Sequence, residues 1–143
     1  MPGGTFNKTL KLQDDGNVVL IENDTVIWQS FDNPTDTFLQ GMKRDSNLKL
    51  TSWKSPDDPS PGSFMFQEVK MMQYVQYVIM NGTEPRWRSG SGSKNESVLN
   101  QMFPDAYSRL LMHHNGNIRY LKWIPDDKRW NLVWKEPKDN CSI

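Results

Sequence analysis

Three short steps, Asp15-Gly16, Asn81-Gly82 and Asn115-Gly116, punctuate runs of β-forming residues, and they restrict this chain to antiparallel hairpins more than any other feature does. Asp, Asn and Gly are the residues that tolerate the positive φ of a tight reversal. Leu10-Lys11-Leu12-Gln13 and Asn17-Val18-Val19-Leu20-Ile21 flank the first step, and Val26-Ile27-Trp28 follows as a third short strand. Ser63–Gln67, Tyr74–Met80 and Arg109–Met112 have strand length and composition. Ile118–Trp123 and Trp130–Trp134 make a further hairpin around Pro125-Asp126-Asp127. The fold class predicted is all-β.

Turn chemistry divides the chain. In Asn33-Pro34-Thr35-Asp36-Thr37 the proline sets φ and the short polar side chains cap backbone groups. Ser55-Pro56-Asp57-Asp58-Pro59-Ser60-Pro61-Gly62 carries too much proline to continue a helix or a central strand, so residues 53–62 are expected to be a proline-rich linker and a domain boundary. Ser89-Gly90-Ser91-Gly92-Ser93 has the composition of a loop. At an offset of 100 positions, Leu10-x-Leu12-x-x-Asp15-Gly16-Asn17-Val18 matches Leu110-x-Met112-x-x-Asn115-Gly116-Asn117-Ile118. Either the chain holds tandem related modules, or two hairpins with good turn residues look alike.

With 17 Lys+Arg against 17 Asp+Glu in 143 residues there is no net field to draw phosphate backbones or anionic lipid, so neither nucleic acid nor a membrane surface is an expected partner. Val18-Val19-Leu20-Ile21, the longest apolar run, falls far short of the ~20 residues of a membrane helix. The start lacks a basic segment followed by an apolar one. Five N-x-Ser/Thr sequons, at Asn7, Asn23, Asn81, Asn95 and Asn140, nevertheless suit a secreted glycoprotein. The two observations agree if the chain is an internal piece of a longer extracellular protein. The single Cys141 is then expected to pair with a cysteine outside the chain.

Catalysis is not expected. The pairs Asp14-Asp15, Asp57-Asp58 and Asp126-Asp127 all sit in turn sequences, where Asp serves backbone hydrogen bonding. His113 and His114, as neighbours on a strand, would face opposite sides and share no metal. No zinc spacing, phosphate loop or nucleophile elbow occurs, so neither metal nor cofactor is expected. Gln13, Asp15, Asn17 and Val19 are the exception, because an amide, a carboxylate and a second amide beside an apolar contact suit sugar hydroxyls. The alternative is a surface hairpin with ordinary polar residues.

Gln13-x-Asp15-x-Asn17-x-Val19-x-Ile21 resembles the mannose-binding signature of bulb-type lectins, with Ile21 where that signature has tyrosine. The missing hydroxyl removes one hydrogen bond, worth ~1 kcal/mol. Trp28-Gln29-Ser30-Phe31-Asp32-Asn33-Pro34-Thr35-Asp36-Thr37-Phe38-Leu39-Gln40-Gly41-Met42, Leu50–Phe64, Trp87–Gly90, Ser108–Leu110 and Trp134-x-x-Pro137-x-Asp139-x-Cys141 resemble the ectodomains of plant S-domain (G-type lectin) receptor-like serine/threonine kinases and S-locus glycoproteins, over nearly the whole chain. The family has proline at Gln40 and a longer segment in place of Ser91–Tyr107.

The resemblance implies the C-terminal part of a bulb-type, β-prism-like lectin module over residues 1–52, an S-locus glycoprotein domain, itself lectin-like, over 63–140, and the start of an EGF-like region at 141–143. It implies an extracellular or plasma-membrane ectodomain that recognises a protein or peptide ligand, pairs with a second receptor chain and performs no catalysis. Recognition of pollen is the family's label. The rivals are a free lectin for mannose-type glycans and a truncated product that does not fold alone.

Overall fold

The structure, a computed structural model, describes residues 7–43, 48–90 and 105–138. Asn95, Asn140, Cys141 and the 141–143 segment lie outside them. Among the described residues there are eleven strands and a single 3₁₀ turn at Ser30–Asp32. The strands are β1 (Lys8–Leu12), β2 (Val18–Glu22), β3 (Thr25–Gln29), β4 (Thr37–Leu39), β5 (Lys49–Ser55), β6 (Asp58–Lys70), β7 (Val75–Asn81), β8 (Glu84–Arg88), β9 (Ser108–Met112), β10 (Ile118–Ile124) and β11 (Arg129–Glu136). They form an antiparallel three-stranded sheet β1-β2-β3 and two four-stranded sheets, β11-β10-β9-β4 and β5-β6-β7-β8. The chain is all-β, as its turn chemistry implies.

The offset-100 match is a repeat in three dimensions. Lys8 pairs with Glu22 and Leu12 with Val18, while Ser108 pairs with Lys122 and Met112 with Ile118. The β2–β3 ladder slips between Leu20 and Ile21, and the β10–β11 ladder slips at the corresponding place, between Tyr120 and Leu121. Leu20 faces Trp28 across the first pair just as Tyr120 faces Trp134 across the second. Two hairpins that merely share good turns have no reason to share a bulge.

One hydrophobic core lies between the two four-stranded sheets. Phe38, Leu110, Met112, Ile118 and Tyr120 meet Leu50, Phe66, Tyr77 and Ile79, with Tyr120 stacked on Trp134 at 5.8 Å and Phe66 on Tyr77 at 5.5 Å. Each such side chain contributes about 1.5–3 kcal/mol relative to exposure. The first sheet has no such cover among the described residues: Leu10 and Leu12 are each 68% exposed, whereas Leu110 and Met112 are 2% and 0%.

Two expectations are corrected. Residues 53–62, expected to be a proline-rich linker, instead form a hairpin in which β5 ends at Ser55 and β6 resumes at Asp58. Its prolines are tolerated because β7 pairs only with Phe64–Lys70, so Pro59 and Pro61 have a neighbour on one side alone. Gly62 passes so close to the Trp53 carbonyl that a Cβ there would collide with its oxygen. Further, Asn33–Thr37 is more than a turn: the Thr35 carbonyl accepts from Thr51 N–H (2.8 Å), the Asp36 carbonyl accepts from Met112 N–H (2.8 Å), and β4 then seats on β9. This strap ties β5 to β9. β4 and β5, which precede the proline-rich stretch, thereby share sheets with strands that follow it.

Candidate functional site

Both repeated turns are built from the same bonds. In the first, Gln13 N–H donates to the Asn17 carbonyl (2.9 Å), Gly16 N–H to the Gln13 carbonyl (3.0 Å) and Asn17 N–H to Asp15 Oδ1 (2.9 Å). In the second, His113 N–H donates to the Asn117 carbonyl (2.9 Å), Gly116 N–H to the His113 carbonyl (3.0 Å) and Asn117 N–H to Asn115 Oδ1 (3.4 Å). Gly16 and Gly116 hold φ of 89° and 87°, where a side chain is strained. An Asx acceptor two residues before Asn thus ends each reversal.

The structure brings Gln13, Asp15 and Asn17 into one turn but sends their side chains in different directions. Gln13 and Asp15 are exposed, while Asn17 and Val19 are buried at 6% and 2% exposure. The Asn17 amide is occupied internally: Nδ2 donates to Gln29 Oε1 (3.0 Å), and Oδ1 accepts from Ser30 Oγ (3.1 Å) and Phe31 N–H (3.2 Å). Gln29 in turn donates to Asp32 Oδ2 (2.6 Å) and receives Asn33 Nδ2 on its carbonyl (2.9 Å). The Trp28–Asn33 motif is therefore the socket of Asn17. The corresponding Asn117, 1% exposed, donates from Nδ2 to the Pro137 carbonyl (3.0 Å). A polar residue placed after an Asp-Gly or Asn-Gly turn can clamp the fold as readily as face a ligand, and sequence spacing does not separate the two.

Asp14 and Asp15 line a cleft of about 470 Å³ whose other walls include Gln40, Asp105 and Trp130. The sequence reading missed this aromatic and amide contribution, since Trp130 lies more than 100 residues from the turn. Asp105 is held below the usual carboxylate range, chiefly by the Ser108 hydroxyl and then by Tyr107 N–H, so it is charged at neutral pH.

A second cleft, of about 370 Å³, lies between the strap, the β5–β6 hairpin and β9, with Asp36, Thr37, Trp53, Arg109, His113 and His114 among its walls. The two imidazoles, expected on opposite sides, lie side by side with ring centroids 4.1 Å apart. They stand just beyond the end of β9, where strand alternation no longer applies. Burial holds the His113 imidazole below its ordinary value of 6.5, against the opposing hydrogen bond that its ring donates to Asn115 Oδ1. Among the described residues no group of three or more His, Cys, Asp or Glu is placed to hold a metal.

The carboxylate pairs lie in turns. Asp58 Oδ1 accepts from Ser60 N–H (2.9 Å) at the β5–β6 tip, and Asp127 pairs with Arg129 (3.0 Å) between β10 and β11. Of the sequon asparagines, Asn7, Asn23 and Asn81 are exposed, and Asn23 and Asp24 form the two-residue reversal between β2 and β3 with φ of 49° and 62°. No helix among the described residues is long and apolar enough to cross a membrane.

Comparison with known proteins gives two family matches, D-mannose binding lectin over residues 3–55 and S-locus glycoprotein domain over residues 60–143. A G-type lectin S-receptor-like serine/threonine-protein kinase of Arabidopsis thaliana is 33% identical over 95% of this chain and 19% of its own length. A second, the receptor-like serine/threonine-protein kinase SD1-8 of the same plant, is 34% identical over 99% of this chain and 21% of its own length. The chain thus spans about a fifth of the curated relatives it matches. Among solved structures, monomeric monocot mannose-binding lectins from Gastrodia elata are similar at 14% identity, covering 92% of this chain and 80% of theirs with a TM-score of 0.18.

Proposed function

The chain belongs to the S-locus glycoprotein domain family, joined to a stretch similar to D-mannose binding lectins, and from that premise we propose that it is the ligand-recognising part of an S-domain receptor-like kinase ectodomain. It acts outside the cell, performs no catalysis itself, and offers its turns to a protein or peptide ligand and to a second receptor chain. The observation that carries this reading is the consecutive pair of family similarities across nearly the whole length. In this reading the lectin part ends near residue 52 and the S-locus domain occupies 63–140, with the β5–β6 hairpin as the join. The exposure of Asn7, Asn23 and Asn81 supports glycosylation there; Asn95 and Asn140 are proposed as further acceptors.

Directing the chain into the secretory pathway of plant cells tests this. Glycosidase-sensitive mass on Asn7, Asn23 and Asn81, removed one site at a time by Asn→Gln, is the expected result. A product that traverses the pathway bare would overturn the extracellular assignment. Binding to secreted plant peptides is expected in pull-down and absent from a mannose column.

A second reading, a mannose-type glycan site at Gln13, Asp15, Asn17 and Val19, is favoured by the cleft beside Asp15, where Gln40 and Trp130 add a hydroxyl partner and an apolar platform. In it Gln13 and Asp15 touch the sugar, while Asn17 and Val19 hold the turn in shape. Mannose binding on a glycan array, abolished by Asp15→Ala in protein that still melts cooperatively, supports this reading against the first.

A further inference from the structure

The cleft between strap and β9 contains a cation, Arg109, with no ion-pair partner among the described residues. Arg109 is half-buried, and its Nε has no hydrogen-bond partner. Its guanidinium lies 4.2 Å from the centroid of the Trp130 ring, a contact that holds its plane but offers no hydrogen-bond acceptor. Asp36 is the nearest anion in the cleft, yet its Oδ1 takes the hydroxyls of Thr35 (3.3 Å) and Thr37 (3.1 Å) instead. Burial lowers the Arg109 pKa, with Asp36 only partly opposing, which expresses the same deficit. A half-buried guanidinium with an unpartnered Nε–H favours a carboxylate, which a guanidinium can grip with two parallel bonds.

The rest of the cleft narrows the class of anion. Trp53, 38% exposed, and Pro56 form an apolar wall opposite β9. Asp36 and Thr37 supply oxygens, and the His113 ring engages Asn115 through Nδ1 (2.8 Å), leaving Nε2 for a hydroxyl. The walls are fixed beforehand, because the strap is bonded to both β5 and β9 through the Thr35 and Asp36 carbonyls. The volume, about 370 Å³, falls in the range of small-ligand sites. We propose that this cleft binds an acidic saccharide, a hexuronate whose carboxylate lies on Arg109 and whose pyranose face lies on Trp53, with ring hydroxyls on Asp36 and His113. The site shares no lining residue with the first-turn cleft, although its Arg109 lies over Trp130 of that cleft.

The test titrates the 143-residue chain with a di-hexuronate, with the neutral dihexose of the same linkage, and with inorganic sulfate, following the Arg109 Nε–H and Trp53 indole resonances by NMR. The expected result is saturable shifts of both resonances with the di-hexuronate. Binding should be weaker by about tenfold or more in Arg109→Gln and in Trp53→Ala, and unchanged in Asp15→Ala. Should Arg109→Gln unfold, Trp53→Ala on the exposed hairpin and the Arg109 resonance in the unmodified chain still decide. Equal binding of the neutral dihexose overturns the role of Arg109, equal binding of sulfate overturns the saccharide class, and loss on Asp15→Ala assigns the sugar to the first-turn cleft. No shift at either resonance overturns the site itself.

Discussion

The hairpins built on β1-β2-β3 and β9-β10-β11 have the same register, the same bulge and the same turn bonds, yet one is largely exposed on the face that the other buries. Leu10, Leu20 and Trp28 occupy the row that Leu110, Tyr120 and Trp134 occupy in the second copy. In the second copy β5-β6-β7-β8 lies across that row and β4 lies along the edge of β9; nothing among the described residues does either for the first. Hairpin geometry is thus a local property, encoded by turn residues and alternation, whereas burial is conferred by whatever packs on the hairpin.

The sharpest way to break this comparison is to truncate equivalent leucines. Leu110→Ala should cost about 2–5 kcal/mol in urea unfolding, through lost burial and a residual cavity, while Leu10→Ala should stay within about 0.5 kcal/mol. Equal losses would mean that the β1 face is covered after all. Next come the turn glycines. A Cβ at Gly116 would stand 2.8 Å from Phe64 Cε1, whereas at Gly16 the nearest atom is Leu39 Cδ1 at 3.7 Å. Gly116→Ala should therefore cost about 2–4 kcal/mol, from positive φ and overpacking together, and Gly16→Ala about 1–2 kcal/mol from φ alone.

Among the asparagines the order reverses, because Asn17 serves three side-chain bonds and Asn117 one. Asn17→Ala should lose about 1–3 kcal/mol and Asn117→Ala about 1 kcal/mol by thermal or urea melting. The smallest effect is one of pH. The folded state keeps the His113 imidazole below its ordinary 6.5, so its contribution is complete above 6.5 and declines as pH falls from there through the folded value. His113→Gln, which installs the residue of the first copy, should flatten that acid-side decline while leaving stability at pH 8 nearly unchanged.

Much of this was legible because it is local. The Asp15-Gly16 and Asn115-Gly116 steps carry their hairpins, and their 100-residue offset carries the repeat. β4 was not legible: three residues, Thr37–Leu39, become a strand only because β9, some 70 residues on, offers an edge. β5 and β8, which pair with their sequence neighbours, were missed for a local reason, the one being rich in polar residues and the other holding Pro85. At the candidate site, alternation along Gln13-x-Asp15-x-Asn17-x-Val19 could not say that Asn17 faces inward. That depends on Gln29, Ser30 and Phe31 arriving opposite it.

By itself the amino-acid order determined the all-β class, the reversals at Asp15-Gly16 and Asn115-Gly116 and the hairpin pairings β1–β2, β2–β3, β9–β10 and β10–β11, since these rest on φ preferences and on side chains a few residues apart. Only the tertiary structure decided which apolar row is buried, that a proline-rich stretch is a strand, and that Arg109, Asp36 and Trp53 line one cleft. Those outcomes require segments distant in the chain to meet, and the energy of such a meeting belongs to neither segment alone.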